Sequence, residues 1–158
     1  MPRTLIIGIG NLVLQDEGFG LHAIKQIDAD ALPPHVDIAD GGTAGLHLMG
    51  LLQNYDKIIV LDAALDNNPP GTVRMLQPKF GEFPPLITAH EIGLKDTLEA
   101  LELTGFKPDV TLIVCSVRRF TSLGAELSAE VASAIPHAVE MALEAAGVTA
   151  CSCARDSR

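Results

Sequence analysis

A chain of 158 residues is the length of one ordinary domain and too short for two. With 47% hydrophobic and 20% charged residues it has a globular composition, which excludes a disordered chain and supplies a core without disulfide staples. Its 11 basic against 20 acidic residues give a formal charge of -9, the wrong sign for a non-specific nucleic-acid or anionic-membrane binder, although a protein partner with a basic patch stays open.

In chain order, Leu5 to Ile9 is a short, continuous, β-branched run, as expected of a strand buried on both faces. Its glycines, Asn11 and the following Asp16-Glu17 fit a strand and loop better than a signal peptide. Residues 18–29 place Leu21, Ile24 and Ile27 on one helical stripe, with Asp16 as the expected N-cap. Val36 to Ile38 is a weaker strand ending at Asp40-Gly41-Gly42-Thr43, and residues 45–53 return to helical period through Leu46, Met49 and Leu52. Lys57 to Leu61 is the clearest strand and closes on Asp62.

Asp66-Asn67-Asn68-Pro69-Pro70-Gly71 is a loop, and Thr72 to Leu76 a strand reached without a crossover helix, which predicts an antiparallel partner. A loop covers residues 78–89. Leu94, Leu98 and Leu101 mark a helix ending near Gly105, and Val110 to Val117 is the last buried strand. Ser128 caps a final helical region carrying Val131, Ile135, Val139 and Leu143; Pro136 should break or kink it, and Gly147 should stop it. This alternation predicts a three-layer α/β/α sandwich with a mostly parallel, mixed five-stranded sheet. Residues 1–149 form the single expected domain and 150–158 a flexible tail. No apolar run approaches the ~18–20 residues of a membrane span. Three cysteines, Cys115, Cys151 and Cys153, make an odd set without a framework, so a reducing, cytoplasmic setting is expected.

In open α/β sheets ligands bind beyond the carboxyl ends of the strands. Glu17, Asp40, Asp62 and His90 all fall where they reach that rim. Each also has a plain explanation. Glu17 suits the positive end of a helix, Asp62 suits a turn cap, and a lone histidine is more often a surface group than a ligand. Gly8-Ile9-Gly10 begins a dinucleotide fingerprint, but Val13 stands where its third glycine belongs. His90-Glu91 begins a zincin motif, but Leu94 replaces its second histidine. There is no G-x-S-x-G elbow and no P-loop. Cys115 lies in an apolar run, where a thiol is usually inert packing. One imidazole with two or three carboxylates suits a divalent ion such as nickel or zinc, with positions left open for substrate.

Four blocks then occur in order: Gly8-Ile-Gly-Asn-Leu-Val-Leu-Gln-Asp-Glu-Gly-Phe-Gly20, Asp40-Gly-Gly-Thr43, Ile59-Val-Leu-Asp-Ala63 and Ala89-His-Glu-Ile-Gly-Leu94. Together they resemble the hydrogenase maturation endopeptidases, which trim the C-terminal extension of nickel–iron hydrogenase large subunits. The likeness runs from the first strand to the final helical region. It implies that Glu17, Asp62 and His90 are metal ligands and that Asp40, Gly41, Gly42 and Thr43 contact substrate. It also implies that the ion is nickel already seated in the precursor, read as a sign of completed assembly. An empty site would take up stray divalent ions weakly. No catalytic nucleophile is implied. The expected partner is the large-subunit precursor, with no nucleic acid, no membrane insertion, and a monomeric enzyme.

Val114-Cys-Ser-Val-Arg-Arg-Phe120 departs from the Gly-containing, Pro-ending segment of many members. Arg118 and Arg119 there are either a substrate-contact difference or plain surface charge. A rival reading is an assembly factor that senses nickel in the same subunit without cutting it, distinguished by a defined cut in the precursor.

Overall fold

The computed structural model describes residues 2–42, 46–77, 91–118 and 124–148. The loop expected at 78–89, Arg119, and the tail with Cys151 and Cys153 lie outside them. Strands β1 (Thr4–Gly8), β2 (Val36–Asp40), β3 (Lys57–Ala64), β4 (Val73–Leu76) and β5 (Asp109–Ser116) form one sheet in the order β2-β1-β3-β5-β4. All neighbours are parallel except β4, which runs antiparallel to β5. That is the consequence of a connection with no crossover helix.

Helices α1 (Phe19–Lys25) and α4 (Ala129–Ala145) cover one face of the sheet; the short α2 (Met49–Leu52) and α3 (Glu91–Leu103) cover the other. The period-2 alternation of the strands divides the core accordingly. Ile59, Leu61 and Ala63 of β3 pack with Phe19, Ala23, Val131 and Ala138, whereas Ile58, Val60 and Ala64 pack with Leu52, Leu98 and Leu101. Strands β1, β3 and β5 are buried almost throughout, which is why their apolar runs lack a polar side. No helix among the described residues is long and apolar enough to cross a membrane.

Four expectations are corrected. The helix expected over 18–29 is regular only over Phe19–Lys25, and the one over 45–53 is a 3-10 turn, Leu46–Leu48, leading into the short α2. Strand β3 does not close on Asp62 but continues to Ala64, because Ala63 and Ala64 still pair with Cys115 and Ser116. Of the break or kink expected at Pro136, the break does not occur: α4 runs unbroken from 129 to 145 and stops, as expected, at Gly147 with φ 76. Pro136 and Ala132 both lie on the exposed side of α4, where water can reach a carbonyl that loses its helical partner.

The amino ends of the strands are fastened by a polar cluster far from the rim. Arg3 donates to Asp37 at 3.0 Å, Tyr55 donates to the same carboxylate oxygen at 2.9 Å, and the Arg3 guanidinium lies 4.8 Å from the centre of the Tyr55 ring.

Candidate active site

The sheet order reverses at β1, whose chain leaves toward β2 on one side while β3 lies on the other. The crevice beyond the carboxyl ends of β1 and β3 is therefore the topological switch point, where open α/β sheets bind ligands. Two of the sequence-selected carboxylates belong to it. Glu17 lies in a 3-10 turn, Gln15–Gly18, and Asp62 lies in β3 opposite Val114.

The loop from Ile9 to Gly18 is shaped by its own hydrogen bonds. Ile9 N–H donates to Leu61 O at 2.9 Å, Asn11 N–H to Glu17 O at 3.3 Å, and the Asn11 side chain accepts from Val13 N–H at 3.1 Å. Glycine is required where α1 leans on this corner: a Cβ on Gly20 would overlap the Leu61 carbonyl and lie 2.5 Å from Ile9 O. Through these contacts the turn holding Glu17 is packed against the strand holding Asp62.

Both carboxylates are buried, Glu17 at 5% and Asp62 at 4% exposure. Asp62 accepts from the Ala63 N–H at 2.8 Å, and the alternation of β3 puts it on the same face as α3. Glu17 differs: its Oε2 is buried and has no hydrogen-bond partner among the described residues. A buried acceptor left open costs about 1–3 kcal/mol, so one retained in a ligand crevice calls for an explanation beyond packing.

The Asp40 block is laced to the same loop. Gly41 N–H donates to Gly8 O and Gly10 N–H to Gly42 O, each at 2.8 Å. Exposed Asp40 accepts from Gly42 N–H at 2.8 Å, and Gly42 takes the left-handed conformation, φ 56, that glycine permits. The structure thus brings Glu17, Asp40, Gly41, Gly42 and Asp62 to one rim. Thr43 and His90 lie outside the described residues; α3, which begins at Glu91, packs on the face carrying Asp62.

Asp16 is not the cap of α1. Its carboxylate accepts from the Ser128 N–H at 2.7 Å and the Ser128 hydroxyl at 2.8 Å; the Ser128 side chain, the expected cap, makes no capping bond of its own, and Asp16 caps α4 from across the fold. Residues 13–15 are strapped to the same region: Gln15 N–H donates to Gly124 O, and Gly124 N–H to Val13 O, both at 2.9 Å. No local sequence signal announces either contact, because the partners are more than a hundred residues apart; the only hint is a Ser128 well placed to begin a helix.

A second group without a local sequence signal is Asp66, in the loop after β3. Burial alone would raise its pKa, but the Asn68 N–H, the Ser116 hydroxyl and Arg74 outweigh it and hold the carboxyl below its ordinary value. Arg74 donates to it at 2.6 Å and Ser116 at 3.1 Å. Asp66 belongs to an open cleft of about 590 Å³ beyond the ends of β3 and β5, which Asn67, Asn68, Val117 and Arg118 also line. Burial pushes the Cys115 thiol up to about 12, consistent with inert packing and not with a nucleophile.

The endopeptidase HybD of Escherichia coli superposes on this structure with a TM-score of 0.79 at 34% identity, covering 90% of this chain and 91% of that one. With buried carboxylates in the switch-point crevice, the shared fold defines a peptide hydrolase. A family model described as hydrogenase maturation protease matches residues 21–145, a span containing Asp40, Asp62 and His90 but beginning after the Gly8–Gly20 block. The hydrogenase 2 maturation protease of Escherichia coli is 40% identical over 118 residues, 70% of this chain and 71% of the relative. The hydrogenase expression/formation protein HupD of Rhizobium leguminosarum is 36% identical over 148 residues, 90% of this chain and 73% of the relative. The chain belongs to the hydrogenase maturation protease family.

Proposed function

We propose that this chain removes the C-terminal extension of a nickel–iron hydrogenase large-subunit precursor once nickel has been inserted. In this reading Glu17, Asp62 and His90 grip the nickel carried by the precursor, and Asp40, Gly41, Gly42 and Thr43 position the segment that bears it. The metal belongs to the substrate, and its presence marks the precursor as ready. The single observation that carries the reading is the open Oε2 of buried Glu17 in the switch-point crevice. Oxygen donors of this kind, joined by an imidazole, suit a divalent transition ion. They leave positions on the ion for the precursor's own ligands.

The same corner serves hydrolysis. Cleavage there needs either polarisation of the scissile carbonyl by the cation or a water activated by the cation or by a rim carboxylate. In this reading the enzyme acts in the cytoplasm, with residues 1–149 sufficient and 150–158 dispensable. The test is intact mass of the precursor after incubation with the enzyme. We expect one C-terminal truncation with nickel-loaded precursor, none with nickel-free precursor, and none with Glu17→Gln or Asp62→Asn enzyme of unchanged helicity. Equal cutting with and without nickel, or by either variant, overturns the reading; binding without a mass change turns it into that of an assembly factor.

A further inference from the structure

The cleft beyond β3 and β5 takes no part in gripping a metal, yet it opens at the same end of the sheet as Asp62. Leu65, where it begins, lies three residues beyond Asp62 along the chain, roughly 10 Å at the ~3.3 Å rise of a strand. An extended peptide covers that distance in about three residues.

Its charge is distinctive in a chain of net charge -9. Asp66 is already committed to Arg74, Ser116 and the Asn68 N–H, so its negative charge is matched inside the wall of the cleft. Arg118, two residues past the end of β5, is exposed. Among the described residues neither it nor the exposed Asn67 makes a hydrogen bond or ion pair. Leu65 and Val117 supply an apolar floor beside them. A planar guanidinium lining a partly apolar groove, with an amide alongside, suits a peptide bearing a carboxylate: the fork pairs with the carboxylate and the amide with the backbone. The volume of about 590 Å³ falls within the range of about 300–1,000 Å³ common for small-ligand clefts.

We infer that this cleft receives the part of the precursor beyond the scissile bond, and that Arg118 pairs there with a carboxylate of that segment. The inference rests on the peptidase reading above and adds the site that holds the leaving fragment. Arg118 is a specificity group, acting on how the precursor docks and not on the bond that breaks. The carboxylate has two sources, the C-terminal carboxylate of the extension or an acidic side chain within it.

The experiment is steady-state cleavage of nickel-loaded precursor by wild-type, Arg118→Ala, Arg118→Glu and Arg118→Lys enzyme. Arg118→Ala should raise KM about fivefold, near the upper limit for one exposed ion pair, with kcat within about twofold. Arg118→Glu should raise KM further, Arg118→Lys should restore most of it, and the rise of KM with salt should flatten in Arg118→Ala. Precursor with an amidated C-terminus, and precursor with the acids of its extension changed to amides, identify the source: the one that removes the difference between wild type and Arg118→Ala carries the carboxylate. A KM unmoved in Arg118→Glu, or a difference that survives both altered precursors, overturns the inference while leaving the peptidase reading intact. A wild-type enzyme that cuts no nickel-loaded precursor overturns the peptidase reading, and this one with it.

Discussion

Replacing Asp16 by alanine tests how the corner around Glu17 is held. Asp16 is 8% exposed and spends its carboxylate on two short hydrogen bonds to Ser128 at the start of α4. Hydrogen bonds to a charged group contribute about 1.5–3 kcal/mol each, and loss of an N-cap costs about 0.5–2 kcal/mol. Ser128 is only partly buried, so water recovers some of both. The expected loss is therefore about 2–3 kcal/mol, or roughly 5–10 °C in melting temperature for a chain of this length. Urea unfolding should show a lower midpoint with an unchanged slope. Ser128→Ala removes the hydroxyl bond and keeps the N–H bond, so it should cost about half as much. In the double variant that half should vanish, giving a coupling of about 1 kcal/mol. A loss below about 0.5 kcal/mol for Asp16→Ala, or full additivity in the cycle, would show that the contact does not hold α4.

Other changes probe the scaffold. Gly20→Ala drives a methyl group into the Leu61 carbonyl and should cost about 3 kcal/mol, measured by thermal melts; a neutral result refutes the close approach of α1 to the sheet. Asp66, held below its ordinary pKa, adds stability that is present above the unfolded carboxylate value and lost as pH falls through the lower folded one. Asp66→Asn should therefore be less stable than wild type at pH 7, with the gap closing in acid below about pH 4; a gap independent of pH contradicts this. Cys115, its thiol raised to about 12, should resist iodoacetamide in the native state at pH 8, and Cys115→Ala should still cut the precursor. Rapid alkylation, or loss of cutting in a folded variant, would mean that the thiol has a role.

What the sequence disclosed depended on whether the determining contact was local. The apolar runs of β1, β3 and β5 are self-announcing because burial on both faces leaves no polar alternation. The antiparallel β4 follows from the absence of a helix before it. The rim carrying Glu17, Asp40 and Asp62 was legible because strand ends in such sheets share one side. By contrast, Asp16 beside a helix looks like that helix's cap; only tertiary structure shows that it caps α4 instead. The absence of a break at Pro136 has a related reason: the penalty for an internal proline depends on whether the orphaned carbonyl meets water, which a one-dimensional pattern does not record. The cleft of Asp66 and Arg118 joins two loops separated by about fifty residues, so neither loop signals it alone.

The strap between residues 13–15 and Gly124 bears on the order in which the molecule forms. The first strand, α1 and β2 lie close together in sequence, and their contacts can form early at little loop-closure cost. The bridge from Leu14 to Gly124 and the bond from Asp16 to Ser128 close loops of about 110 residues, the kind of contact that forms late. A nascent chain emerging from its amino end therefore carries residues 13–16, beside Glu17, without their partners at 124 and 128 until nearly all of the chain has been made. This part of the rim is therefore among the last to set, and a truncated or half-made product lacks the fastening.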